Sequence, residues 1–195
     1  LHYPLRRQRQ MCIRDRKNGS VQTATDWVLH GQTAYVNLLP QAEYRIACDT
    51  ALFSLNTNHG IRPQRGEYAY LVRPGISTVS TVAKYAADLP IKILANTEKI
   101  QAARHEKLGI TEIIFYQPGE LRLENGDILA TDTPCALLWK EKEEKIHAAN
   151  PRCESKNPGK ITITLTQSGQ TKQISFEMPQ KEEAGKSCTA PLYRN

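Results

Sequence analysis

The chain has 195 residues, which is room for one ordinary domain or two small ones with a real buried core. Its 39% hydrophobic and 24% charged residues are those of a globular protein, and no apolar run approaches the roughly 20 residues of a membrane-crossing helix, so no membrane partner is expected. The net charge of +6 is uneven: Arg6, Arg7, Arg9, Arg14 and Arg16 stand against Asp15 alone, whereas from Lys17 onward 21 basic residues face 19 acidic ones. The body of the chain therefore lacks the compositional footprint of a nucleic-acid binder, and no nucleic-acid partner is expected.

Residues 1–16 are basic and Gln-rich, without a sustained apolar period, and do not begin with Met. They hold neither the apolar stretch nor the small-residue cleavage site of a secretory leader. Met11-Cys12-Ile13-Arg14-Asp15-Arg16 resembles translated sequencing-adaptor read-through. The segment is read as non-native or disordered and is set aside from the fold.

Trp27-Val28-Leu29 and Thr33 to Leu38 flank His30-Gly31-Gln32, two β-prone runs with a tight connection that predict a hairpin. Glu43 to Cys48 alternates, with Tyr44, Ile46 and Cys48 on one face and Arg45 on the other. Leu52, Phe53 and Leu55 form a further apolar group, followed by a turn-rich stretch from Asn56 to Gly66. A strand is predicted over 67–72, stopped by Pro74-Gly75. Ser77 to Ala87 is the one convincing helix, because Val79, Val82, Ala83 and Ala86 recur at helical spacing behind a Ser or Thr cap.

From Pro90 the pattern turns wholly to strands. Ile91, Ile93 and Leu94, then Ile100 and Ala102, read as two strands about an Asn96-Thr97 turn, followed by Ile110 to Tyr116. Asn125-Gly126 joins Leu121-Arg122-Leu123 to Ile128-Leu129, the strongest short hairpin signal. Cys135 to Trp139 reads as a buried strand and the charged run Lys140 to Lys145 as a solvated edge or loop. Ile161, Ile163 and Leu165 alternate with threonines, and Ser168-Gly169 turns the chain into Ile174 to Met178. The fold class is all-β: antiparallel β-sandwiches with one short helix near 77–87.

Few residues suggest chemistry. His2, His30, His59, His105 and His147 are scattered, and none pairs with another ligand at metal-binding spacing, so neither metal nor cofactor is expected. Ala184-Gly185-Lys186-Ser187 resembles the end of a phosphate-binding loop, but Gln180 occupies the place of its first Gly. Cys153 and Cys188 flank the last hairpin at a separation open to a disulfide in an oxidising compartment, while Cys48 and Cys135 read as buried thiols. Trp27, Tyr68 and Tyr70 could stack on sugar rings, although aromatics alternating in strands read more readily as core.

An ordered series of short wordings resembles one known family. Asn96-Thr97, Gln101-Ala102, Arg104-His105, Leu108-Gly109, Phe115-Tyr116, Pro134, Met178-Pro179 and Ala184 to Ser187 are similar to the C-terminal domain of polysaccharide lyase family 8. Trp27 to His30, Ala34-Tyr35, His59-Gly60, Pro63, Tyr68-Ala69-Tyr70 and Pro74-Gly75 resemble the close of its central β-sandwich. Between Cys48 and Leu52 the family usually carries a longer insertion. The resemblance implies that 17–90 ends a central β-sandwich and 91–195 forms a C-terminal one. It implies an enzyme that cleaves acidic, uronate-containing polysaccharides by β-elimination, with its catalytic residues on an N-terminal helical toroid that nothing here matches. No catalytic residue is therefore assigned, and the substrate-binding residues stay open. By the same resemblance, the location is secreted or periplasmic in a bacterium, with acidic polysaccharide and the toroid domain as partners. A stand-alone carbohydrate-binding or adhesive β-sandwich protein is the alternative.

Overall fold

The computed structural model describes residues 11–12, 22–24, 26–39, 43–48, 52–152 and 159–192. The chain divides into two compact units, Leu1–Leu89 and Pro90–Asn195. The described residues are all-β apart from one α-helix and two short 3-10 turns.

The first unit holds strands β1 (Met11–Cys12), β2 (Gln22–Ala24), β3 (Trp27–His30), β4 (Thr33–Asn37), β5 (Glu43–Cys48), β6 (Phe53–Asn58) and β7 (Tyr70–Pro74), followed by helix α1 (Val79–Ala87). The predicted hairpin is β3 and β4, with Trp27 opposite Val36 and His30 opposite Thr33. They sit inside a four-stranded sheet ordered β1-β3-β4-β7, while β2, β5 and β6 make a second, three-stranded sheet. Met11–Cys12 pairs in parallel with Val28 and Leu29; the rest of the segment set aside on sequence grounds lies outside the described residues.

Strand alternation gives the four-stranded sheet two apolar faces. Trp27, Leu29, Ala34 and Val36 point to one side and bury Val82 of α1 together with Ile76. Val28 and the ring of Tyr35 point to the other and pack on Ala24, Tyr44, Ile46, Phe53 and Leu55 of the smaller sheet. Helix α1 starts where expected: Thr78 has extended backbone and its hydroxyl accepts from the Thr81 N–H, as an N-cap should. It ends at Ala87, ahead of Pro90. Strand β7 begins later than the sequence predicts and runs through Pro74, which is tolerated at the last position of an edge strand.

The second unit holds β8 (Ile91–Asn96), β9 (Ile100–His105), β10 (Ile110–Phe115), β11 (Gly119–Arg122), β12 (Ile128–Thr131), β13 (Cys135–Lys140), β14 (Lys145–Ala149), β15 (Lys160–Gln167), β16 (Gln170–Glu177) and β17 (Cys188–Pro191). A six-stranded sheet runs β17-β14-β13-β10-β9-β8 and a four-stranded one β11-β12-β15-β16, each wholly antiparallel. Ile113, Phe115, Leu137, Trp139, Ile146 and Ala148 from the larger sheet meet Leu121, Leu129, Ile161, Ile163, Leu165 and Phe176 from the smaller in one continuous core. That is a β-sandwich.

The Asn125-Gly126 hairpin forms as predicted, with Gly126 at φ 89°, a left-handed value that favours glycine, and the Asn125 side chain accepting from the Asp127 N–H at 3.1 Å. Strands β14 and β17 go beyond the sequence pattern, which predicts no strand in either place. Lys140 to Lys145 is indeed interrupted by a 3-10 turn over Glu141–Glu143. Immediately after it, Ile146 and Ala148 drop into the core while the half-buried His147 lies on the opposite face of the sheet, and β17 pairs alongside. Two apolar residues bracketing a histidine carry little local signal; the neighbouring strands recruit them.

Candidate functional site

Residues 59–69 connect β6 to β7 without regular structure. The entry is pinned by the Asn58 side chain, which accepts from the Gly60 N–H at 3.1 Å and donates to Glu43 at 3.1 Å. The His59 ring then lies against Gly66, where a Cβ would come within 3.0 Å of it. Beyond this brace Ile61 stands 95% exposed, and Arg62 adopts a left-handed φ of 53°. Arg62 and Arg65 are exposed, and neither forms an ion pair among the described residues.

The loop feeds Tyr68 and then β7. Leu71 packs toward α1, and the Arg73 guanidinium lies 5.7 Å above the Tyr85 ring. The alternate residues Tyr70 and Val72 look the other way, opposite Asn37 and Tyr35 of β4. Tyr68 and Tyr70 are 60% and 51% exposed with ring centroids 6.2 Å apart and planes 29° from parallel. This corrects the expectation that these tyrosines belong to the core. β7 is an edge strand, and the three-stranded sheet leaves its face uncovered; Trp27, on the interior strand β3, is core as expected. Close by in electrostatic terms sits the Tyr44 hydroxyl, buried, without a hydrogen-bond partner among the described residues, and driven upward in pKa by burial and by the Tyr70 phenol.

The remaining residues named from sequence do not converge. His30 stacks on Phe53 with centroids 4.1 Å apart, and His105 Nδ1 accepts from the Leu108 N–H at 3.3 Å. His147 Nδ1 meets the Thr189 hydroxyl at 2.7 Å, and His2 lies outside the described residues. Among the described residues no group of three potential metal ligands forms. Lys186 of the Ala184 to Ser187 run pairs with Glu183 at 2.6 Å, and the run leads into a strand, not a helix. Cys135 is a buried thiol pushed up to about 11 by burial, bonded to Thr131 at 3.5 Å. The partly buried Cys188 Sγ lies 3.4 Å from the Glu177 carbonyl oxygen; Cys153 and the Cys48 side chain lie outside the described residues, and the disulfide expectation with them. Sequence reasoning passes over Arg62, Arg65 and the Tyr44 hydroxyl. A basic, turn-rich stretch leading into alternating tyrosines is the available signal for the first two.

The second unit, an antiparallel six-on-four β-sandwich, defines the class of protein to which the chain is related. Residues 92–158 match the family model for the C-terminal β-sandwich domain of polysaccharide lyase family 8, and the chain carries that domain. It is 39% identical over 136 residues, 69% of its own length, to chondroitinase-AC of Pedobacter heparinus, and 28% identical over 125 residues, 63% of its length, to hyaluronate lyase of Thermasporomyces composti. These stretches are 19% and 14% of the two relatives, so the chain spans under a fifth of the curated relatives it matches. A solved chondroitinase AC lyase, known in enzyme–oligosaccharide complexes, superimposes with a TM-score of 0.76 at 28% identity, covering 90% of this chain and 29% of that one.

Proposed function

We propose that the chain is a non-catalytic β-sandwich portion of a polysaccharide lyase that cleaves uronate-containing polysaccharides by β-elimination. The observation that carries this reading is the match of residues 92–158 to the C-terminal lyase domain, set within a longer alignment to a chondroitinase. On this reading residues 17–90 close a central β-sandwich, 91–195 form the C-terminal one, and the parent enzyme is secreted or periplasmic in a bacterium.

β-Elimination needs a group that neutralises the uronate carboxylate, a base for the C5 proton and an acid for the leaving oxygen, all converging on one sugar. The described histidines and tyrosines are dispersed over separate strands and loops, which suits a scaffold. The catalytic set then belongs to a helical toroid elsewhere in the parent. A stand-alone carbohydrate-binding protein is the second reading, favoured by the exposed Tyr68 and Tyr70.

The test is to add the purified chain to chondroitin sulfate, hyaluronan and xanthan while following the absorbance of unsaturated uronate, and to read the parent gene upstream. No cleavage and an upstream helical toroid are the expected results. Cleavage by the chain alone would overturn its non-catalytic assignment, and a secretory leader placed directly before Lys17 would favour the stand-alone protein.

A further inference from the structure

We propose that Arg62, Arg65, Tyr68 and Tyr70 form a contact ledge for an anionic saccharide chain on the first unit. This deepens the reading above, on which it rests for the ligand class; its residues and location come from the geometry.

Four observations converge on this place. Tyr68 and Tyr70 stand side by side with more than half of each side chain in solvent, and Val72 continues the same strand face at 48% exposure. A run of exposed aromatic and aliphatic side chains of this kind marks an interaction surface. Tyrosine faces suit the axial C–H groups of a pyranose ring, and their hydroxyls suit its oxygens. Immediately before them in the chain, two exposed guanidinium groups lack an ion-pair partner among the described residues. Such groups recognise carboxylate or sulfate through paired hydrogen bonds.

The loop is also built to hold these groups in place. The Asn58 hydrogen bonds and the His59–Gly66 contact brace its first part, and Arg62 keeps a backbone conformation that non-glycine residues seldom adopt. Such conformations gather at sites where geometry serves function. The fourth observation is the buried Tyr44 hydroxyl of β5, a polar group without a partner among the described residues that feels the Tyr70 phenol electrostatically. The arginines favour an anionic ligand and the tyrosine faces a ring to stack on, and on the reading above a sugar polymer bearing carboxylates or sulfates is the ligand class that uses both.

The test is calorimetric titration of the full 195-residue chain with hyaluronan oligosaccharides, chondroitin sulfate and neutral dextran, with unsaturated-uronate absorbance read on the same samples. The native chain should bind the two uronate polymers and not dextran, with affinity falling as salt rises. Tyr68→Ala with Tyr70→Ala should weaken binding by about fivefold or more. Arg62→Asn with Arg65→Gln should weaken it roughly tenfold and flatten the salt dependence, the asparagine being chosen because it tolerates a left-handed backbone. Lys99→Gln, on the second unit, should change nothing, and melting curves would confirm that all variants fold.

Absence of binding, equal affinity for dextran, native-like affinity in both double variants, or an equal loss in Lys99→Gln would each overturn the ledge. So would sedimentation showing that the tyrosines hold two copies together. No binding with no absorbance change leaves the scaffold reading standing. A rise in absorbance instead removes the non-catalytic assignment, and the ledge is then judged by its variants alone.

Discussion

The two units start from the same material, short antiparallel strands with one apolar face each, and arrive at different cores. In Pro90–Asn195 two sheets enclose a single continuous cluster, with Phe115 and Leu129 fully buried within it. In Leu1–Leu89 one central sheet serves two smaller clusters, α1 covering one face and a three-stranded sheet the other. The second arrangement leaves β7 incompletely covered, and the paired tyrosines stand there. A closed sandwich spends its apolar residues on itself, whereas a sheet shared between two partial layers keeps some surface for something else.

The sharpest way to break this comparison is to damage the closed core. Phe115→Ala removes a ring with no exposure and should destabilise the second unit by about 3–5 kcal/mol, while hydrogen exchange in the first unit stays as it was. If both units lost protection together, they would not be energetically separate. A smaller effect is expected from Thr78→Ala, which removes the cap of α1 and should cost about 1 kcal/mol. Its loss of protection should emerge around Val82 and Trp27, not in the sandwich.

Asp132 offers a pH test confined to the second unit. Burial pushes its pKa up, but the Thr162 N–H at 3.0 Å and the Thr133 hydroxyl at 2.9 Å outweigh that and hold the carboxyl below its ordinary value. The folded state then binds this proton less tightly than the unfolded one. The stabilisation is therefore complete above the unfolded value of about 3.9 and is lost as pH falls below it, through the lower folded value. Asp132→Ala should cost at most about 1 kcal/mol at neutral pH, because solvent screens this exposed carboxylate, and its melting temperature should vary less than that of the native chain across the acid range. The smallest effect carries the opposite sign. Tyr44→Phe deletes a buried hydroxyl that has no partner among the described residues, so stability of the first unit should hold or rise, by at most about 1 kcal/mol. A marked loss in a thermal melt would show that the hydroxyl is satisfied after all.

Most of the second unit is legible in the amino-acid order. Ile161, Ile163 and Leu165 alternate without interruption, and Asn125-Gly126 leaves little choice of turn, so local chemistry and global fold agree there. The family wording is legible too, since it survives as short ordered phrases. Strands β14 and β17 are not, because Ile146 and Ala148 become a strand only when β13 offers its hydrogen bonds. The exposure of Tyr68 and Tyr70 escapes the pattern for a related reason: a strand's own alternation does not say whether a neighbour covers it.

By itself, then, the amino-acid order determined the all-β class, the helix near 77–87, the main hairpins and the likeness to a lyase family, because each depends on side-chain period, turn chemistry or wording within a few residues. The tertiary structure alone decided which apolar faces are shared and which are left open. It put Trp27 inside and Tyr70 outside although both alternate in the same way, since burial depends on whether another layer lies above a strand, and that layer comes from residues distant in the chain.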